Sequence, residues 1–124
     1  MLHMENKKTL VLGASDNPSR YSYLAINRLI KNGHPVVAVG KKQTSVAGVD
    51  VGKEKKEFDK VDTVTLYLNP LNQREYYDYI ISLKPKRIIF NPGTENEELY
   101  KLAKENNIQT MEACTLVLLS TGQY

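Results

Sequence analysis

The chain has 124 residues, 41% of them hydrophobic and 25% charged, with a formal net charge of +3. That make-up belongs to an ordinary globular domain and excludes a disordered segment, which carries fewer apolar residues. A chain of this length buries roughly two-thirds of its unfolded surface, enough for one core and too little for a separate substrate domain.

Taken in chain order, Lys8-Thr9-Leu10-Val11-Leu12-Gly13 is a short apolar run that reads as a buried strand ending at glycine. In the loop that follows, Asn17 suits an N-cap and Pro18 the first helical position. Tyr23, Ile26, Leu29 and Ile30 then recur at three-to-four spacing and predict a helix with one apolar stripe, closed by Asn32-Gly33. Residues 35–39 form a second buried strand, so residues 8–40 make a β-α-β unit and a parallel sheet. Residues 41–60 are polar and mixed in charge, with a short strand expected near residues 48–51 and a turn of helix at residues 53–57. Residues 61–68 read as a strand closed by Asn69-Pro70, which opens a helix carrying Tyr76, Tyr79, Ile80 and Leu83 on one face. Arg87-Ile88-Ile89-Phe90 is the next strand. After Asn91-Pro92-Gly93, Thr94 with Glu97 three residues later forms a capping-box pattern for a helix through Leu99, Leu102 and Ala103. Asn106-Asn107 stops it, residues 108–111 predict a last strand, and the apolar stretch after Cys114 a short helix.

Strands alternating with helices predict a single α/β domain over residues 1–124: three layers, doubly wound, with a parallel sheet of about five strands. Flavodoxin-like and Rossmann-like strand orders both satisfy the pattern, and in either one ligands bind beyond the carboxyl ends of the strands, where the order reverses.

Aliphatic runs reach only four residues, at 36–39 and 116–119, against the 20 or so that a membrane span needs. Residues 1–8 carry neither the apolar stretch nor the cleavage site of a signal peptide, so a cytoplasmic location away from membranes is expected. Cys114 is the single cysteine, which excludes an intrachain disulfide and a cysteine metal cluster. His34 sits at a helix-strand turn and His3 near the start of the chain, with no partner at the spacing of a metal site or a catalytic triad. No catalytic residue and no metal ligand is assigned.

Charge is unevenly divided. Residues 1–60 hold eleven Lys/Arg against six Asp/Glu, and residues 61–124 six against eight, so the first half faces anions. The lysines form no basic arm and no aromatic platform accompanies them, which points away from nucleic acid and toward a small phosphorylated ligand. The loop Gly13-Ala14-Ser15-Asp16-Asn17-Pro18-Ser19-Arg20 lies between the first strand and helix, where backbone N–H groups and the helix dipole favour a phosphate. It is neither the dinucleotide fingerprint, which needs glycines where Ser15 and Pro18 stand, nor a P-loop. At the end of the second strand an NAD site places a carboxylate for the ribose; here stand Lys41 and Lys42, which suit a phosphorylated ribose, as in NADP or coenzyme A.

These residues carry a resemblance. Residues 10–20, with Gly33-His34-Pro35-Val36-Val37-Ala38-Val39, resemble the opening of the small stand-alone CoA-binding proteins, which are similar to the CoA-binding domain of succinyl-CoA synthetase. Asn91-Pro92-Gly93-Thr94-Glu95-Asn96 and Glu112-Ala113-Cys114-Thr115 fall where that family has its fourth-strand loop and its cysteine-containing motif, so the likeness spans nearly the whole chain. It implies a Rossmann-like domain holding CoA or an acyl-CoA. The pyrophosphate lies against Gly13, Ala14, Ser15 and the helix start near Asn17, with Arg20 beside it; the adenosine end lies toward Lys41, Lys42, Asn69 and Pro70. Many relatives end the second strand in Val-Asn-Pro, where this chain has Val39-Gly40-Lys41. The loop at Asn91 and Gly93 closes over a ligand in this reading, and Cys114 faces its thiol end or is an inert buried thiol.

Three functions follow as alternatives. The first is a CoA binder acting as carrier, sensor or regulatory module with no reaction of its own. The second is a small NADP-dependent or acyl-CoA-acting enzyme, for which only Cys114, Glu112 and Asn91 offer groups. The third is a protein-interaction subunit on a nucleotide-binding scaffold. Tyr76, Tyr77 and Tyr79 recur at helical spacing, as core or interface residues do, and with the apolar C-terminal run they leave room for a homodimer.

Overall fold

The alternating apolar runs assemble into one sheet with helices on both faces. The structure, a computed structural model, describes residues 6–124; His3 lies outside them. The strands are β1 (Thr9–Ala14), β2 (Val36–Gly40), β3 (Thr44–Val46), β4 (Val49–Gly52), β5 (Thr63–Leu66), β6 (Arg87–Phe90) and β7 (Gln109–Glu112). The helices are α1 (Tyr21–Lys31), α2 (Pro70–Gln73), α3 (Tyr77–Leu83), α4 (Glu97–Glu105) and α5 (Thr115–Ser120), with a 3₁₀ turn at Arg74–Tyr76 linking α2 to α3.

The sheet order is β3-β4-β2-β1-β5-β6-β7, with β3 antiparallel to β4 and every other pairing parallel. Numbered among themselves, the parallel strands run 3-2-1-4-5-6, which is the Rossmann order. The order reverses between β1 and β5, whose register pairs Leu12 with Leu66 at the carboxyl end. Strand alternation sends Leu10, Leu12, Val64, Leu66, Ile88 and Phe90 to a core under α3 and α4. On the other face Val11, Ala38 and Val51 pack with Ile26 and Leu29 of α1 and Leu119 of α5.

Seven strands replace the expected five. The difference lies partly in residues 44–52, where a hairpin stands in place of the single short strand expected near residues 48–51. Val46, Val49 and Val51 are buried while Ser45 and Asp50 are exposed, a strand period carried by very short strands. Ala47 and Gly48 form the turn, both with positive φ (50° and 81°), the backbone a two-residue hairpin needs. No helix forms at residues 53–57.

Two helix starts also differ from the reading of the sequence. The first helix begins at Tyr21, with Arg20 as its N-cap. Asn17 turns the preceding loop instead, its Oδ1 accepting from Ser19 N (3.0 Å) and Ser19 Oγ (2.8 Å). At α4 the cap is Asn96, whose Oδ1 accepts from the N–H groups of Glu98 and Leu99, while Thr94 donates its hydroxyl back to Asn91 O. In both loops an asparagine side chain competes for the backbone donors of its own turn and decides where the helix begins. Asn69, by contrast, caps α2 with Pro70 in the first turn, as its sequence predicts.

The hairpin turn yields a test. Ala47 pays for a left-handed backbone that glycine adopts freely, so Ala47→Gly is expected to raise stability by about 0.5–1 kcal/mol, read as a higher urea midpoint at unchanged m-value.

Candidate functional site

Parallel strands bring every candidate residue to one edge of the sheet. Gly13 and Ala14 end β1, Lys41 and Lys42 follow β2, Asn69 and Pro70 follow β5, Asn91 and Gly93 follow β6, and Cys114 follows β7.

The centre of that edge is tightly built. The register of β1 on β2 slips between Leu12 and Ala14, and Gly13 takes φ +94° at the slip, with Tyr67 and Leu68 only 3.0–3.1 Å from where its Cβ would lie. Across the other side, a Cβ on Gly40 would stand 2.3 Å from Ala14 O. Glycines at 13 and 40 therefore let β2, β1 and the segment after β5 close together, with Tyr67 N donating to Leu12 O (2.9 Å).

From this centre the loop at residues 15–20 leads into α1. Ser15 Oγ accepts from Asn17 N (3.1 Å), Asn17 O from Arg20 N (3.0 Å), and the loop is half-buried to exposed. The N-terminus of α1 has no side-chain cap and no acidic residue in its first turn. Its leading N–H groups and positive dipole end are therefore unanswered by side chains, the condition under which a helix start takes an anion. The Arg20 side chain is exposed at the same point.

Facing this loop, Lys42 and Lys41 differ in what they do. Lys42 Nζ donates to Asp16 Oδ2 (3.0 Å), and Thr44 Oγ1 donates to the same oxygen (2.9 Å). The Lys42 ammonium and the Thr44 hydroxyl hold the Asp16 carboxyl below the usual carboxylate range. Lys41 is exposed and forms no ion pair among the described residues.

The loops after β5, β6 and β7 are stitched together by buried polar side chains. Gln73 is fully buried; its Nε2 donates to Leu68 O (2.8 Å) and Thr94 O (2.7 Å), and its Oε1 accepts from Asn96 Nδ2 (2.8 Å). Asn91 is also buried. Its Nδ2 donates to Thr65 Oγ1 (2.7 Å) and Leu66 O (2.9 Å), and its Oδ1 accepts from Thr115 N (2.9 Å). The amide of Asn91 is thus engaged inside the fold, where it fixes the start of α5 beside Cys114. Gly93 is exposed with φ +91°, a backbone that turns the loop after β6 at little cost only with glycine.

Cys114 is half-buried at the N-cap of α5. The adjacent Thr115 hydroxyl bonds Thr65 Oγ1 (2.8 Å), and the Tyr67 hydroxyl is buried without a hydrogen-bond partner. Burial pushes the Tyr67 phenol up to about 12, so it stays protonated at neutral pH. Glu112 is held by the Tyr100 hydroxyl. Among the described residues no group of three His, Cys, Asp or Glu side chains is placed to hold a metal ion, and no helix is long and apolar enough to cross a membrane. A shallow surface hollow of about 720 Å³ runs along β7 between Tyr100, Lys104 and Glu112, and of the residues singled out in the sequence for chemistry only Glu112 lines it.

Residues 7–120 match the CoA-binding-domain family, and the chain belongs to it. Its structure is similar to that of an uncharacterized protein, at 52% identity and TM-score 0.95 over 98% of this chain and 100% of the other. A hypothetical protein from Pyrococcus horikoshii OT3 is 26% identical, with TM-score 0.85 over 94% of this chain and 83% of that one. The fold also recurs in the dinucleotide-forming acetyl-coenzyme A synthetase 1 of Ca. Korarchaeum cryptofilum, solved with phosphate and ADP: 19% identity and TM-score 0.71, covering 86% of this chain and 25% of that one. No curated protein matches the chain.

Sequence reasoning gave no individual role to Asp16, Thr44, Thr65, Tyr67, Gln73 and Asn96, although Asp16 lies in the loop and Asn96 in the motif singled out there; Gln73 also left a signal, a polar residue within a helical apolar stripe. Its replacement tests the stitching: Gln73→Leu keeps the volume but strands two carbonyls and one N–H of the Asn96 amide, whose other bond goes to the Tyr77 hydroxyl, and is expected to cost about 2–4 kcal/mol, seen as a lower urea midpoint.

Proposed function

We propose that this protein binds coenzyme A or an acyl-CoA at the carboxyl edge of its sheet, as a cytoplasmic carrier, sensor or regulatory module. Membership of the CoA-binding-domain family supports the ligand class. The observation that carries the placement is the start of α1, which lacks both a side-chain cap and an acidic residue and sits where the strand order reverses.

In this reading the pyrophosphate rests against Gly13, Ala14, Ser15 and the start of α1, and the exposed Arg20 guanidinium forks onto it. Lys41 answers the phosphate on the adenosine ribose, since Lys42 is already paired with Asp16. Asn69 and Pro70 border the adenosine end. The pantetheine arm runs along the loop at Gly93 toward Cys114. CoA supplies a thiol for carrying acyl groups; the chain supplies binding and orientation.

The reading as a binder is favoured over that of an enzyme by the state of the polar groups near the thiol end. Asn91 is engaged by Thr65, Leu66 and Thr115 inside the fold, and Glu112 is exposed with its Oε2 bonded to the Tyr100 hydroxyl, so neither is built into a buried proton-transfer site.

The test is calorimetric titration of the reduced protein with CoA, dephospho-CoA, NADP and NAD. CoA is expected to bind tightest, and dephospho-CoA more weakly for want of the phosphate that Lys41 meets. Arg20→Ala is expected to weaken CoA binding by about tenfold or more without lowering the urea midpoint. Absence of heat with all four ligands would overturn the proposal in favour of a protein-interaction module.

A further inference from the structure

Resting on that nucleotide reading, we infer that Asp16 is a ligand-binding residue whose carboxylate receives a ribose hydroxyl of the bound nucleotide. In the Rossmann arrangement the ribose lies at the end of the second strand, where an acidic side chain accepts its hydroxyl. This chain ends that strand in Gly40-Lys41-Lys42 and has no carboxylate there. Asp16 supplies one from the opposite wall of the same crevice, on the loop that leaves β1.

The geometry favours this role. Because Gly40 approaches Ala14 O so closely, the loop after β1 and the segment after β2 stand within side-chain reach, and Asp16 spans the gap to Lys42 and Thr44. Both bonds land on Oδ2. Among the described residues Oδ1 has no side-chain donor, and the Asp16 side chain is 37% exposed.

Chemically, a carboxylate anchored in this way repels a phosphate and accepts an O–H. Lys41, next to Lys42 in the chain and without an ion pair among the described residues, does the reverse. The two side chains together suit a ribose that carries one hydroxyl and one phosphate on neighbouring carbons. Lys42 and Thr44 are then positioning residues that keep Asp16 ionised and aimed.

The test compares ADP with 2′,3′-dideoxy-ADP, which lacks both hydroxyls, by calorimetric titration of the wild-type chain and of Asp16→Asn, alongside CoA. Wild type is expected to favour ADP by about tenfold, the size of one charge-assisted hydrogen bond. In Asp16→Asn the preference is expected to fall to about twofold or less, with dideoxy-ADP affinity not reduced, since that ligand never used the carboxylate. An unchanged preference in the variant, no preference in wild type, or an equal loss of both ligands overturns the inference; the last would make Asp16 a strut alone. CoA binding accompanied by any of these leaves the broader reading standing, whereas a wild-type chain that binds neither CoA nor ADP overturns both.

Discussion

The close approach of β1 to its neighbours at their carboxyl ends is the constraint on which the rest depends. A Cβ at position 40 would overlap Ala14 O, and one at position 13 would press on Tyr67 and Leu68. With glycine at both places the three segments converge, and the register slip after Leu12 turns the chain out of the sheet into the loop before α1. Interiors are close-packed, so atoms added at such points displace backbone rather than fill space. The site's position is therefore a consequence of packing before it is one of ligand chemistry.

From this centre the two sides of the edge are built differently. Toward β6 and β7 the loops are joined by buried amides and hydroxyls, with Gln73 and Asn91 each bonding three partners. Buried bonds of that kind are costly to break, because each opened partner loses its water as well as its bond. Toward β2 and β3 the loop at residues 15–20 is tied across the crevice by an exposed ion pair and one hydroxyl, and exposed ion pairs hold weakly. One wall is held by buried bonds and the other by exposed ones.

Most of the fold was legible because strand and helix periods in the central elements agree with burial. β6 falls where Arg87-Ile88-Ile89-Phe90 places it, and the parallel doubly wound architecture follows from the alternation of elements. The hairpin β3–β4 was not fully legible, since its turn uses Ala47 where Asn or Asp would announce it. Helix starts at Tyr21 and Glu97 were missed because Asn17 and Asn96 are equally good as turn formers and as caps, and only tertiary position separates the two uses. The loop before α1 reads as an anion site from its place alone, and the structure adds a helix start with neither a side-chain cap nor an acidic residue in its first turn. The pairing of Asp16 with Lys42 was not legible, because the two residues are 26 positions apart and nothing local in either segment marks the other.

That last pairing changes how the charge of the site is read. Lys41 and Lys42 are indistinguishable in the sequence, two cations after a strand, and count together toward a phosphate. Asp16 offsets the charge of Lys42 and leaves Lys41 as the one of the two cations without an ion pair among the described residues, so the local charge is mixed in sign though still positive in sum. Mixed charge selects differently from net charge: a cation alone attracts any phosphate, whereas a cation beside a fixed carboxylate favours a ligand that presents an anion and a hydroxyl donor at matching places. Family membership supports the class of ligand; on the inference drawn from Asp16, this arrangement is what would choose within that class.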